Sequence, residues 1–165
     1  MATALATTLA SPVLAGEWVR GGTFDAERGV GIMFLRYLAS DGEGQMTIRC
    51  DAIDGLWVDA GVTGGGQLPE GMFTGDLSDV EFAFVREDSV DQLTLTGELL
   101  IRTDGAVLVT VVGDEATPLA DLLLEPAERI DLTVGEVTAV VTLNDFIEEA
   151  QNMADRCDGW PATSP

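Results

Sequence analysis

The chain has 165 residues, 29 of them acidic, against eight arginines, and its formal net charge is -21. Neither histidine nor lysine occurs in it. These absences exclude histidine-based proton shuttles, Ser-His and Cys-His nucleophile pairs, His-ligated zinc, Schiff-base chemistry and P-loop phosphate binding through lysine. Carboxylates, hydroxyls, backbone amides and two cysteines remain for any chemistry.

The length and composition predict a single globular domain. A mass of 17.4 kDa and a hydrophobic fraction of 46% are ordinary for one folded unit, so the charge does not indicate disorder. We expect one domain over residues 16–160 and a short tail over residues 161–165. The negative charge opposes binding to nucleic acid, and it favours a cationic protein or cell-envelope component as partner. The alternative is that the acidity only provides solubility in a saline or GC-rich organism.

The first fifteen residues, MATALATTLASPVLA, are small and apolar. Val13-Leu14-Ala15 satisfies the small-residue rule for signal peptidase, although the stretch lacks a basic start. We interpret it as a truncated signal peptide before a mature start at Gly16, and therefore expect a periplasmic or secreted protein. The alternative is a disordered or helical tail. No apolar run of 18 residues follows, so we expect no membrane insertion of the mature domain.

Alternating apolar and polar residues dominate the middle of the chain, and this period predicts β-strands. Two Asp-Gly pairs, Asp54-Gly55 and Asp104-Gly105, predict hairpins because glycine tolerates positive φ, and Ser40 to Gly44 and Val134 to Glu136 are further turn signals. The predicted strands are Glu17 to Phe24, Gly31 to Leu38, Met46 to Cys50, Leu56 to Val62, Val80 to Arg86, Gln92 to Leu95, Glu98 to Arg102, Ala106 to Val112, Arg129 to Val134 and Glu136 to Thr142.

Two stretches have helical period. Pro118 to Glu125 predicts about two turns, with Thr117 as N-cap. A second helix should run from Asn144 or Asp145 to about Arg156, with a capping side chain at its start. One face of that second helix is apolar and carries Phe146, Ile147, Ala150, Met153, Ala154 and Cys157.

Cys50 and Cys157 are the two cysteines and lie 107 positions apart. In an exported protein we expect them to form a disulfide that tethers the last helix to the sheet and stabilises the fold by about 3 to 5 kcal/mol. In a cytosolic protein they would be two buried thiols.

Three candidate sites can be drawn from the sequence. Gly64-Gly65-Gly66 lacks the lysine and helix of a phosphate cradle and is interpreted as a loop. Crowding of Asp41, Glu43, Asp51 and Asp54 makes a Ca²⁺ or Mg²⁺ site conceivable, but the spacing fits no EF-hand and 29 acids crowd by chance. A carboxylate pair can run glycosidase chemistry, yet sequence does not give its separation. We expect no catalytic, cofactor-binding or metal residues and no cofactor.

The segments MTIRC at Met46 to Cys50, LWV at Leu56 to Val58, and VVTLNDF at Val140 to Phe146 with a following Ala150 and Cys157 form a pattern. It resembles that of small exported β-rich proteobacterial proteins, namely type VI secretion-associated proteins of the VasI type and, more distantly, invasion-associated locus B-like proteins. The resemblance covers roughly Met46 to Cys157. It implies a β-rich periplasmic domain, and no catalytic residues carry over.

The sequence thus predicts an all-β dominated fold, an antiparallel sandwich or open barrel with a C-terminal amphipathic helix. The predicted function is a non-enzymatic periplasmic binding or accessory module with an acidic surface. The alternative is a small carboxylate-dependent hydrolase or a Ca²⁺-dependent carbohydrate-binding domain. A binding module should show a contiguous acidic or apolar patch, whereas a hydrolase should show two carboxylates converging in a pocket, one of them shielded from water.

Overall fold

The computed structural model describes residues 16–39, 44–53, 55–63, 72–144 and 146–154. Within them, nine strands and two short α-helices follow one another along the chain. The elements are β1 (Glu17–Asp25), β2 (Val30–Leu38), β3 (Gly44–Asp51), β4 (Gly55–Val62), β5 (Leu77–Val85), β6 (Val90–Ile101), β7 (Val107–Val112), α1 (Thr117–Leu123), β8 (Arg129–Val134), β9 (Val137–Thr142) and α2 (Phe146–Ala154).

All nine strands belong to one sheet, in the order β1-β2-β3-β4-β7-β6-β5-β8-β9, and every described pairing is antiparallel. The first four strands form a meander. The chain then passes to β5, runs back through β6 to β7 beside β4, and adds β8 and β9 outside β5. The all-β dominated fold with a C-terminal amphipathic helix is therefore confirmed.

The period-2 pattern decides which side chains enter the core. In β4 the alternate residues Leu56, Val58 and Ala60 are buried, and β5 repeats this with Val80, Phe82 and Phe84. Because successive strand residues point to opposite faces, the inner face of the sheet is almost entirely apolar and the outer face carries the polar residues between them.

The sheet curls so that its two edge strands, β1 and β9, come together at one end. The indole nitrogen of Trp18 in β1 donates to the carbonyl of Thr142 in β9 at 2.8 Å, and the Tyr37 hydroxyl lies 3.2 Å from the Thr142 hydroxyl. Helix α2 covers the neighbouring end of the core, where the Phe146 ring meets Trp18 edge-on at 4.6 Å. Ala150 and Met153 of α2 are also buried, as its apolar period predicts.

Three details of the predicted elements are corrected by the structure. Gln92 to Leu95 and Glu98 to Arg102 are not two strands, because Gly97 lies inside the continuous strand β6. A Cβ atom on Gly97 would lie 2.2 Å from the Thr110 carbonyl oxygen, so glycine permits close strand approach rather than a turn. Thr117 is not the N-cap of α1, because a 3-10 turn over Gly113–Ala116 leads directly into the helix and Ala116 takes the N-cap position without a side-chain hydrogen bond. The helix also ends at Leu123, before the predicted end at Glu125.

The predicted hairpins are confirmed where the structure describes them. Gly105 adopts φ 83° between β6 and β7, and Gly135 adopts φ 61° between β8 and β9, conformations that glycine allows at little cost. Several predicted features lie outside the described residues. These are the N-terminal segment 1–15, residues 40–43, Asp54, the Gly64-Gly65-Gly66 loop, Asp145, and residues 155–165, which include Arg156 and the 161–165 tail.

Candidate functional site

Among the described residues, the outer face of the sheet carries an arginine-lined depression and a separate acidic groove. The first lies over β2, β3, β4 and the β6–β7 hairpin and has a volume of 570 Å³. Three of the eight arginines line it, in a chain of net charge -21. We call it the arginine cleft, and its polar lining is Arg36, Gln45, Thr47, Arg49, Asp59 and Arg102.

Strand register brings these side chains together. Arg36 in β2 pairs with Thr47 in β3, Thr47 pairs with Asp59 in β4, and Asp59 pairs with Thr110 in β7. Directly opposed residues of neighbouring strands have Cβ atoms about 5 Å apart, so the row forms one polar floor. Arg49 stands two residues beyond Thr47 on the same strand and therefore faces the same side.

Asp59 holds the centre of the arginine cleft. The Nη2 atom of Arg49 lies 3.1 Å from Oδ1 and 2.9 Å from Oδ2 of the Asp59 carboxylate. The Thr110 hydroxyl donates a further hydrogen bond to Oδ1 at 2.8 Å. The Arg49 guanidinium also lies over the Trp57 ring, 4.7 Å from its centroid. Asp59 is thus a fixed structural carboxylate, because charged hydrogen bonds of this kind hold both partners in one geometry.

The second feature lies over β8, β5 and β6 and consists of two adjoining depressions of 360 and 230 Å³. They share Glu81 and Thr133, and we call them together the carboxylate groove. Its acidic residues are Asp79, Glu81 and Asp131, and no described arginine lines it. The rim is apolar, since Met72 lines the groove and Leu77 is 74% exposed.

The three groove carboxylates differ in their partners. Asp79 accepts a hydrogen bond from the Thr96 hydroxyl at 2.6 Å, and Asp131 accepts one from Arg129 at 2.9 Å. The pKa of Arg129 is raised above its ordinary value, mainly by this hydrogen bond and secondly by the negative charge of Asp131. Asp79 and Glu81 form no ion pair with any described arginine. Both are exposed, so the groove presents solvated negative charge.

Of the predicted cation-binding acids, only Asp51 lies among the described residues. It is 7% exposed, its side chain accepts the Ile53 amide at 2.8 Å, and it pairs with Arg28 at 3.3 Å. These contacts shape the β3–β4 hairpin, where an Asp side chain commonly binds the backbone two residues on. Asp41, Glu43 and Asp54 lie outside the described residues. Within the part of the chain that the structure describes, no three His, Cys, Asp or Glu residues lie close enough to hold a metal ion.

Cys50 is buried, at 4% exposure, near the end of β3. It is not a free thiol in the structure. Cys157 lies outside the described residues, so the Cys50–Cys157 bond stays a prediction.

Comparisons with family models, with curated proteins and with solved structures gave no match to this chain. The resemblance to exported proteobacterial proteins therefore stays a prediction. None of the described helices has both the length and the apolarity that crossing a membrane requires.

Sequence reasoning did not predict either outer-face feature. The alternation within each strand already places Arg36, Arg49 and Asp59 opposite to the apolar positions. What it lacked was the register between strands, above all the pairing of β4 with the distant β7 that brings Thr110 to Asp59.

Proposed function

We propose that the protein is a non-enzymatic binding or accessory module that receives a cationic protein or cell-envelope component in the carboxylate groove. The observation that carries this proposal is the lining of the groove. Asp79 and Glu81 supply charge that no described arginine neutralises, and the exposed Leu77 supplies apolar surface beside them.

The groove combines negative charge with exposed apolar surface, and this combination supports a partner that carries both positive charge and apolar side chains. Negative potential steers a cationic segment to the surface and sets its orientation, whereas buried apolar area provides most of the affinity. The groove carboxylates are all at least partly exposed, as a binding surface requires. A carboxylate-dependent hydrolase needs one carboxyl group shielded from water, whereas Asp79 and Glu81 are exposed and Asp131 is partly exposed.

The test uses a synthetic peptide of alternating arginine and leucine, with binding followed by isothermal titration calorimetry at low and high salt. The double variant Asp79→Asn/Glu81→Gln should weaken binding by about tenfold, since it removes two carboxylates from the groove. The matched control Asp114→Asn/Glu115→Gln removes the same charge from the 3-10 turn and should weaken binding by less than about twofold. Equal losses in both variants would show attraction to net charge alone and would refute the groove.

We also propose a periplasmic or secreted location. Strand β1 begins at Glu17, directly after the predicted cleavage point, and the Gly16 amide donates to the Tyr37 hydroxyl at 3.1 Å. A chain that starts at Gly16 therefore keeps the first strand and its contacts intact. The test expresses the chain with a complete signal sequence restored upstream of Met1, and N-terminal sequencing of protein recovered from the periplasm should give Gly16 as the first residue. Recovery of uncleaved protein in the cytosol alone would contradict the proposal.

A further inference from the structure

The arginine cleft is unexpected in so acidic a chain, and among the described residues not all of its arginines form ion pairs. Arg49 is held by Asp59 at 2.9 Å, and Arg102 pairs with Asp104 at 2.7 Å. Arg36 has no carboxylate within ion-pair distance among the described residues, and its guanidinium lies 5.4 Å from the Phe34 ring centroid. The cleft therefore offers one guanidinium that is exposed and not ion-paired to any described side chain.

We propose that the arginine cleft binds a small hydroxycarboxylate of sugar-acid size. The guanidinium fork of arginine matches the planar carboxylate group and can donate two parallel hydrogen bonds to it. Arg36 is the group that receives the carboxylate, and the rest of the cleft receives the body of the ligand. The proposal does not depend on the carboxylate groove.

The charge of the cleft selects a monoanion. Among the described residues, the three arginines of the cleft are set against two carboxylates, Asp59 in the lining and Asp104 paired with Arg102, which leaves one positive charge in excess. A carboxylate matches that excess, whereas a phosphate dianion would place a second negative charge near Asp59. Because the chain as a whole has a net charge of -21, its field would repel this second negative charge.

The size and lining of the cleft select a ligand larger than acetate. A volume of 570 Å³ lies inside the usual range of small-molecule sites, about 300 to 1,000 Å³. Thr47 is the cross-strand partner of Arg36 and lines the cleft, and the Gln45 side-chain oxygen lies 3.4 Å from an Arg102 nitrogen. Hydroxyl and amide groups of this kind both donate and accept hydrogen bonds, so they suit a ligand that carries hydroxyl groups.

The experiment titrates D-glucuronate into the protein and follows backbone amide shifts by NMR. Binding should move the amide signals of β2 and β3 around Arg36 and Thr47, while methyl glucoside, which has a similar ring but no carboxylate, should not. Arg36→Gln should weaken glucuronate binding by about tenfold. Its melting temperature should stay unchanged, since no described ion pair is lost. Arg20→Gln is the matched control, because it removes one arginine whose pair with Glu149 lies outside the cleft. It should change binding by less than about twofold.

Three results would overturn the proposal. The first is the absence of shifts with glucuronate at millimolar concentration. The second is equal weakening in Arg36→Gln and Arg20→Gln, which would show that only overall charge matters. The third is tighter binding of inorganic phosphate than of glucuronate, which would contradict the charge count in the cleft. None of these results bears on the cationic peptide, so the two proposals fail separately.

Discussion

The two halves of the sheet both have an apolar inner face, but they differ sharply in charge. The N-terminal half, described over residues 16–39, 44–53 and 55–63, has four arginines against five carboxylates. The C-terminal half, residues 72–144, has three arginines against fifteen carboxylates. Both bury alternate apolar residues to near-zero exposure, for example Ile48 and Val58 in the first and Phe84 and Leu132 in the second. The fold therefore depends on the inner face, and the outer face is left to determine what each half can bind.

The largest expected effect concerns the link between the N-terminal half and the end of the chain. Reduction of the predicted Cys50–Cys157 bond, or Cys50→Ser, should lower the free energy of unfolding by about 3 to 5 kcal/mol, because the bond restricts a long loop in the unfolded chain. Thiol titration in denaturant without reductant should find no free thiol. As a control, reductant should have no further effect on Cys50→Ser. Two titratable thiols in protein from an oxidising compartment would refute the bond.

A second prediction addresses the seam between the halves, which is β7. A Cβ on Gly61 of β4 would lie 2.0 Å from the Val107 carbonyl oxygen, and one on Gly97 of β6 would lie 2.2 Å from the Thr110 carbonyl oxygen. Backbone atoms cannot rotate away, so Gly61→Val, at the point where β4 meets β7, should lower the free energy of unfolding by about 3 kcal/mol. Gly31→Val is the control, since a Cβ there meets nothing within 4 Å. Urea unfolding measures both, and similar losses would contradict close strand approach at the seam.

The third prediction compares two ion pairs of the arginine cleft. Arg49→Gln should lower the free energy of unfolding by about 1 to 2 kcal/mol, because the Asp59 side chain is only 18% exposed and loses its cation. Arg102→Gln should change it by less than about 0.5 kcal/mol, since Arg102 and Asp104 are each about half exposed. Thermal unfolding of both variants provides the comparison. The double variant Arg49→Gln/Asp59→Asn should recover part of the free energy of unfolding that Arg49→Gln loses. If it recovers none, the unpaired Asp59 carboxylate is not the cause of that loss.

The smallest expected effect tests the difference in net charge between the N-terminal and C-terminal halves. Glu81→Gln in the C-terminal half should raise the free energy of unfolding by up to about 0.5 kcal/mol at low salt, since it relieves repulsion in an acidic region. Glu17→Gln removes the same charge from the N-terminal half, where arginines and carboxylates nearly balance, and should leave the free energy of unfolding nearly unchanged. The difference should vanish at about 0.5 M NaCl because salt screens exposed charges. A difference that survives high salt would indicate a local contact instead.

The sequence by itself determined most strands, the inward residues and the hairpins. These follow from local physics: period 2 fixes the face of each side chain, and glycine marks positive φ at Gly105 and Gly135. Where local pattern failed, a tertiary contact was the reason, as at Gly97, which resembles a break in β6 until β7 lies against it.

Only the tertiary structure decided the strand order and the two outer-face features. The pairing of β4 with β7 joins residues about 50 positions apart, such as Asp59 and Thr110. Such register depends on how the whole inner face packs, since a slip by one residue would turn every buried side chain outward. The arginine cleft and the carboxylate groove depend on that packing, because each combines consecutive strands with an element that is distant in the chain. Arg102 of the β6–β7 hairpin completes the cleft over β2 to β4, and Thr133 of β8 pairs with Glu81 of β5 in the groove.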